Sequence, residues 1–235
     1  MTKKRLLLIS NSLVHGRGYL DHCVDEIVDF LGRVKTVLFI PYALKNRDKY
    51  EQIASERFKK TEIALYSIHR EKNPIKAVKN AESIFIGGGN TFRLLNELYK
   101  NNLLNPIRNL VDSGIPFIGS SAGSNVACPT IKTTNDMPIV EPPSLKALNL
   151  VKFQINPHYI DNAPNPKHMG EIRETRIKEY LEENNLAVIG LREGSWLRIA
   201  GKKIKLKGEG GAKIFLKGNK SLELKKGDIS KYLHT

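Results

Sequence analysis

Cysteine is almost missing from this 235-residue chain: only Cys23 and Cys128 occur, far apart and outside any CxxC or Cys/His spacing. That excludes a disulfide-stapled scaffold and a thiolate zinc centre, and it suits free thiols in a reducing compartment. Long apolar runs are missing too. No stretch approaches the roughly 18 to 20 apolar residues of a membrane span. The opening MTKK leads into only LLLIS before polar Asn11 and Ser12, too little for a signal peptide. The expectation is a cytoplasmic protein with no membrane partner. Aromatic residues make up 7% of the chain and do not interleave with its lysines, so a stacking platform for bases is not expected.

Basic charge is in excess, with 38 Lys and Arg against 24 Asp and Glu and a net charge of +14. Such a balance can serve nucleic acid or an anionic surface. Here the lysines are scattered, or alternate with apolar residues in GKKIKLKGEGGAKIFLKGNKSLELKKGD. Alternation of that kind places them on the solvent face of strands, where they discourage edge pairing. No nucleic-acid partner is expected. With 40% apolar residues, one domain over residues 1–235 can bury an ordinary core.

Short apolar runs alternate with segments of helical period, which predicts an α/β fold with a doubly wound, mostly parallel sheet. The predicted strands are Arg5 to Ser10, Thr36 to Pro41, Glu62 to Ile68, Ser83 to Ile86, Pro116 to Gly119 and Lys152 to Asn156. The predicted helices are Tyr19 to Leu31, Asp48 to Phe58, Pro74 to Asn80, Thr91 to Tyr99, Asn105 to Val111 and Gly170 to Glu183. Beyond Asn185 short strands separated by glycine turns predict a C-terminal antiparallel β meander, at about 187–227, added to the main sheet. The turn formers of Asp161 to Lys167 predict a surface loop near His158.

Within this pattern, Gly119-Ser120-Ser121-Ala122-Gly123 falls between a strand and a short helix and matches GxSxG. Small residues two positions either side of the central serine let the backbone turn sharply and expose its hydroxyl above the sheet. Ser121 is therefore the candidate nucleophile, with the helix-start N–H of Ala122 as an oxyanion donor. Ser124, one turn on, serves the helix instead, and Ser120 points away on the strand side. Alone, the motif is as compatible with a structural turn as with catalysis, so partners decide.

Of six histidines, His158 in INPHY ends a strand, where open parallel sheets gather functional residues. The acid that would orient it is Asp136 of TTNDMP or Glu193 of LREGSW, and spacing does not choose between them. The turn GGGN, residues 87–90, can aim N–H groups of Gly88 or Gly89 into the site as a second oxyanion donor. It lacks the lysine of a P-loop and does not complete GxGxxG, which disfavours a phosphate cradle. No metal or cofactor is called for.

Together, LLLISNS, IFIGGGNTF, GSSAGSNVACPTIKTTNDMPIV, INPHY, GEIRETRI and IGLREGSW resemble the peptidase E family of α-aspartyl dipeptidases, in order from about Leu6 to Trp196. The resemblance implies a serine peptidase that cleaves dipeptides with an N-terminal aspartate, on a fold similar to class I glutamine amidotransferases (flavodoxin-like). It carries the nucleophile onto Ser121, the base onto His158, and the acid onto Glu193 in preference to Asp136, which would then support the site or the substrate amine. It also assigns Arg173 to the substrate's side-chain carboxylate, which an arginine grips in bidentate fashion. The small dipeptide would be the partner of a monomer or homodimer. Three departures from the pattern stand out: Ser120 replaces a bulky aromatic, Ser124 an alanine and Arg192 a proline. A dipeptidase without strict aspartate preference, an isoaspartyl-peptide hydrolase and a non-catalytic anion-binding protein are the alternatives.

Overall fold

A computed structural model describes residues 3–161 and 172–233 of the chain. In order these form β1 (Arg5–Ile9), α1 (Val24–Leu31), β2 (Thr36–Ile40), α2 (Arg47–Phe58), β3 (Ala64–Ser67), α3 (Pro74–Lys79), β4 (Ile84–Ile86), α4 (Thr91–Lys100), α5 (Leu104–Asp112), β5 (Phe117–Ser120) and α6 (Ala122–Ala127). There follow β6 (Gln154–Tyr159), α7 (Arg173–Glu183), β7 (Val188–Arg192), β8 (Ser195–Ala200), β9 (Lys203–Gly208), β10 (Ala212–Phe215), β11 (Leu222–Leu224) and β12 (Gly227–Asp228). The helices start where sequence chemistry favours a start: the side chains of Asn46, Asn73 and Asn90 each accept the N–H three residues on, at 3.0 Å, and Pro74 follows the second of them.

The main sheet has eight strands in the order β12-β9-β8-β1-β5-β4-β2-β3, parallel from β1 to β3 and antiparallel from β1 outwards through β8 and β9. Its central strands are apolar on both faces, as a sheet covered twice requires. Leu6, Leu8, Leu38, Ile40, Ile84, Ile86 and Phe117 pack one way, against residues of α3 to α6 such as Val78, Leu94, Ile107 and Val126. Leu7, Ile9, Val37, Phe39, Phe85 and Ile118 pack the other way, against Ile27 and Phe30 of α1 and Ala54 and Phe58 of α2. The sheet is therefore doubly wound.

Two expectations need correction. The C-terminal strands are not one meander on the main sheet. β8, β9 and β12 extend that sheet, whereas β7, β10 and β11 join β6 in a second sheet of order β11-β10-β7-β6. The chain changes sheet at Gly194 (φ 73°) and after Gly208 (φ 91°), conformations open to glycine, and short alternating strands do not reveal which neighbour they choose. Second, the helix predicted from Tyr19 is broken: Leu20 has φ 58°, a 3-10 turn covers Asp21–Cys23, and α1 begins only at Val24. Of the helix predicted from Gly170, residues 170 and 171 lie outside the described residues, as do His168, His234 and the loop after Asp161.

Phe85 on β4 is fully buried, with ring centroids 5.1 Å from Phe39 and 6.0 Å from Phe58. Phe85→Ala should lower unfolding free energy by about 3–5 kcal/mol, read by urea denaturation. A loss under about 1 kcal/mol would mean that this face of the sheet is not the packed layer described.

Candidate active site

β5 ends at Ser120 and α6 begins at Ala122, so Ser121 alone makes the turn, at φ 52° and ψ −109°. That conformation costs a side-chain-bearing residue about 1–3 kcal/mol and persists only where its surroundings impose it. Here they do. The Ser121 N–H donates to the Ile9 carbonyl at 3.0 Å, and the Ser121 carbonyl accepts from the N–H groups of Ser124 and Asn125 at 2.8 and 3.0 Å. Both outer glycines are needed for close approach: a Cβ on Gly119 would lie 2.5 Å from the Gly123 carbonyl oxygen, and one on Gly123 would collide with the Ile86 carbonyl.

Ser121 Oγ lies 2.9 Å from His158 Nε2, and His158 Nδ1 lies 2.7 Å from Glu193 Oε1. The histidine sits at an irregularity of β6, where pairing with β7 shifts between Pro157 and Tyr159, and it too has a positive φ of 52°. Its N–H donates to Ser10 Oγ at 2.9 Å, and that hydroxyl donates to the Leu191 carbonyl at 2.8 Å. Asn11 Oδ1 accepts the Gly194 N–H at 2.8 Å, holding the turn that carries Glu193. Neither Ser10 nor Asn11 was singled out from sequence. The available signal was two polar residues directly after the buried apolar run of residues 6–9, at the sheet edge where sites form.

Asp136 lies elsewhere in the cleft. Its Oδ2 accepts from the Thr91 N–H at 2.7 Å, the Thr91 hydroxyl at 2.6 Å and the Thr134 hydroxyl at 3.2 Å. A carboxylate there suits the positive end of α4, and it ties the TTNDMP loop to the start of that helix, while Asn90 of the GGGN turn donates to the Met137 carbonyl at 2.9 Å. Asn135 extends the brace by donating to the Pro157 carbonyl at 2.7 Å. Of the two candidate acids, Glu193 is thus the one against the imidazole.

The glycine turn reaches Ser121 directly: a Cβ on Gly88 would stand 3.1 Å from Ser121 Cβ. Gly89 has φ 131°, and a Cβ there would meet the Ala43 carbonyl and Leu44 Cδ2 at 2.8 Å each. Below the turn lies the Tyr50 hydroxyl. Burial pushes that phenol up to about 12, against opposing hydrogen bonds from Tyr19 and the Gly88 N–H. Ala122 is buried, and its N–H, at the first position of α6, has no carbonyl acceptor within the helix.

Arg173 opens α7 and lines the same cleft, about 750 Å³ in volume, together with Ser121, His158, Glu193, Asp136, Gly88 and Gly89. Burial lowers its pKa first, the neighbouring Arg176 adds to this, and Glu193 and Asp136 oppose it. The guanidinium stays charged regardless. Ser124 Oγ is within 2.8 Å of the Ile9 carbonyl and 2.9 Å of that of Gly119, so it clamps the turn from inside. Ser120 is fully buried, and its hydroxyl finds no partner among the described residues. Arg192, next to Glu193 in the chain, makes paired contacts of 2.5–3.0 Å to Asp161 and Glu223. The grouping of Asp48, Glu51 and His69, the one with metal-like spacing among the described residues, has only Asp48 exposed and already carries Arg70 against both carboxylates.

Comparison with known proteins bears on this geometry. Residues 6–207 match the family model described as peptidase family S51. The chain is 47% identical over 229 residues to peptidase E of Streptomyces coelicolor, covering 97% of this chain and 94% of the relative. It is 46% identical over 215 residues to a probable alpha-aspartyl dipeptidase of Drosophila melanogaster, covering 90% of each. Among solved structures, a putative peptidase E protein from Listeria monocytogenes superposes with a TM-score of 0.67 at 24% identity, over 88% of this chain and 99% of that one. A peptidase from an acI-B1 actinobacterium gives 0.70 at 18%, over 95% and 94%. Those two likenesses speak for the fold.

Gly123→Ala tests the close contact behind the turn. It should destabilise the protein by about 1–3 kcal/mol in urea unfolding, the cost of overpacking. A neutral effect would show that β4 and α6 do not meet backbone to backbone.

Proposed function

Because the chain belongs to peptidase family S51, we propose that it is a serine-type dipeptidase releasing an N-terminal aspartate from Asp-X dipeptides. The observation that carries this is the chain Ser121 Oγ to His158 Nε2 at 2.9 Å and His158 Nδ1 to Glu193 Oε1 at 2.7 Å, in one cleft with Arg173. The substrate is small, and no helix is long and apolar enough to cross a membrane among the described residues.

Ser121 attacks the peptide carbonyl while His158 takes its proton, and Glu193 stabilises the imidazolium and holds the ring's tautomer. The N–H of Ala122 and those of the Gly88–Gly89 turn receive the oxyanion. His158 then protonates the departing amine, leaving an aspartyl ester on Ser121, and activates the water that hydrolyses it. Arg173 grips the substrate's side-chain carboxylate. A cation in the first turn of a helix works against the helix dipole, and beside Arg176 it meets a like charge. An anionic substrate group relieves both. Asp136 supports the site through Thr91 and the glycine turn. None of these steps requires a metal or cofactor.

We further infer one class I glutamine amidotransferase-like domain, supported by the strand-to-helix nucleophile turn at the carboxyl edge of a doubly wound sheet. The protein would act in the cytoplasm as a monomer or homodimer without nucleic acid. Pairing of basic groups supports that last point: Arg198 and Lys207 both meet Glu26, and Lys213 meets Asp161 and Glu174.

Ser121→Ala should cut kcat/KM for Asp-Leu on the order of 10⁴-fold or more while circular dichroism shows an unchanged fold; retained hydrolysis sinks the assignment. Arg173→Ala should cost Asp-Leu about 10- to 100-fold, as expected for a charged hydrogen bond, and spare Ala-Leu. If both dipeptides fall alike, Arg173 does not confer the aspartate preference.

A further inference from the structure

Large apolar side chains are exposed in a cluster within the cleft rather than singly. Leu13 is 60% exposed, and Leu44 and Ile53 are 38% exposed. They come from three separate segments, the stretch after β1, the turn after β2, and α2, and all three line the cleft that holds Ser121. Isolated exposed leucines need no explanation, but a contiguous apolar surface inside a cleft does. Behind them Tyr19 and Tyr50 meet edge to face, with ring centroids 6.1 Å apart and a hydrogen bond of 3.3 Å between their hydroxyls.

The wall is continuous with the nucleophile. Gly88 abuts Ser121, and Gly89 abuts Leu44. Moving along the cleft from the reacting serine, a substrate therefore crosses the glycine turn and reaches Leu44. Among the described residues, the charged or titratable groups lining the cleft are Asp136, His158, Arg173 and Glu193, apart from the tyrosines. None of these belongs to the wall, and burial pushes both phenols still further above the ordinary phenol range, so they carry no charge there either.

On the reading that the enzyme cleaves Asp-X, the aspartate side chain takes the arginine and the second residue must go elsewhere in the cleft. We propose that the wall of Leu13, Tyr19, Leu44, Tyr50 and Ile53 is the subsite for that second residue and that it selects apolar side chains. A charged side chain placed there is stripped of water and finds no partner. An apolar one gains burial with each methylene, and a single methylene in such a pocket is worth about 10-fold or more in discrimination.

The test is kcat/KM of the intact enzyme for Asp-Leu, Asp-Phe, Asp-Gly, Asp-Asp and Asp-Lys. Asp-Leu and Asp-Phe should exceed Asp-Gly by about 10-fold or more, and should exceed Asp-Asp and Asp-Lys by a larger factor. In Ile53→Asp, folded by circular dichroism, the ratio of Asp-Leu to Asp-Gly should fall about 10-fold. Cleavage of all five within about twofold of one another overturns the subsite, as does an unchanged ratio in the variant; both leave the dipeptidase assignment standing. Cleavage of none of the five overturns the assignment itself, and the subsite with it.

Discussion

Three consecutive residues at the carboxyl end of β1 hold the whole site in register. The Ile9 carbonyl accepts the Ser121 N–H, Ser10 Oγ accepts the His158 N–H, and Asn11 Oδ1 accepts the Gly194 N–H beside Glu193. Ser121, His158 and Glu193 come from three parts of the chain and from both sheets, yet each, or in the case of Glu193 its neighbour Gly194, is pinned within 3.0 Å to one short stretch of chain. β1 in turn is fixed between β5 and β8 and is apolar on both faces. The rigidity of the buried sheet is thereby passed to three side chains that must agree to within a few tenths of an ångström.

Positive backbone angles at Ser121 and His158 follow from that arrangement. A serine tilted above the sheet needs a turn too sharp for ordinary dihedrals, and a histidine meeting it from the second sheet needs its strand to bulge. Each strained residue is held by hydrogen bonds at its own backbone, and around the serine by contacts at Gly119 and Gly123 that leave no room for a methyl group. The strain is local, and the burial that offsets it is spread over the sheet.

How much of this was legible beforehand follows from the range of each signal. The parallel strands were readable because burial on both faces makes near-continuous apolar runs such as LLLI and TVLFI. Ser121 was readable because the turn around it imposes small residues at fixed local spacing. The pairing of β8 with β1 and of β7 with β6 was not, since alternation in SWLRIA or VIGLR states that a strand is half buried without naming its neighbour. Spacing left Asp136 and Glu193 equal for the same reason, and only the family resemblance preferred Glu193. Each is an acid in a turn, and only the crossing at Gly194 between the sheets, a long-range fact, brings Glu193 to the imidazole. Ser10 and Asn11 escaped notice because their partners lie 148 and 183 residues away.

Exposure of the pair gives the proposed apolar subsite a consequence beyond recognition. The side chains of His158 and Glu193 are 37% and 53% exposed. Water screens a pair that open, so in the empty site the carboxylate orients the ring more than it stabilises charge on it. On the proposed reading, a dipeptide seated across Ser121 would remove water from the imidazole face, and an apolar second residue against Leu44 and Ile53 would close the other side. The same 2.7 Å contact then acts at lower dielectric, where it strengthens as the imidazolium forms. If the subsite is as proposed, burial of a remote side chain is coupled to the electrostatics of proton transfer, and a substrate that cannot fill the wall leaves the histidine in water.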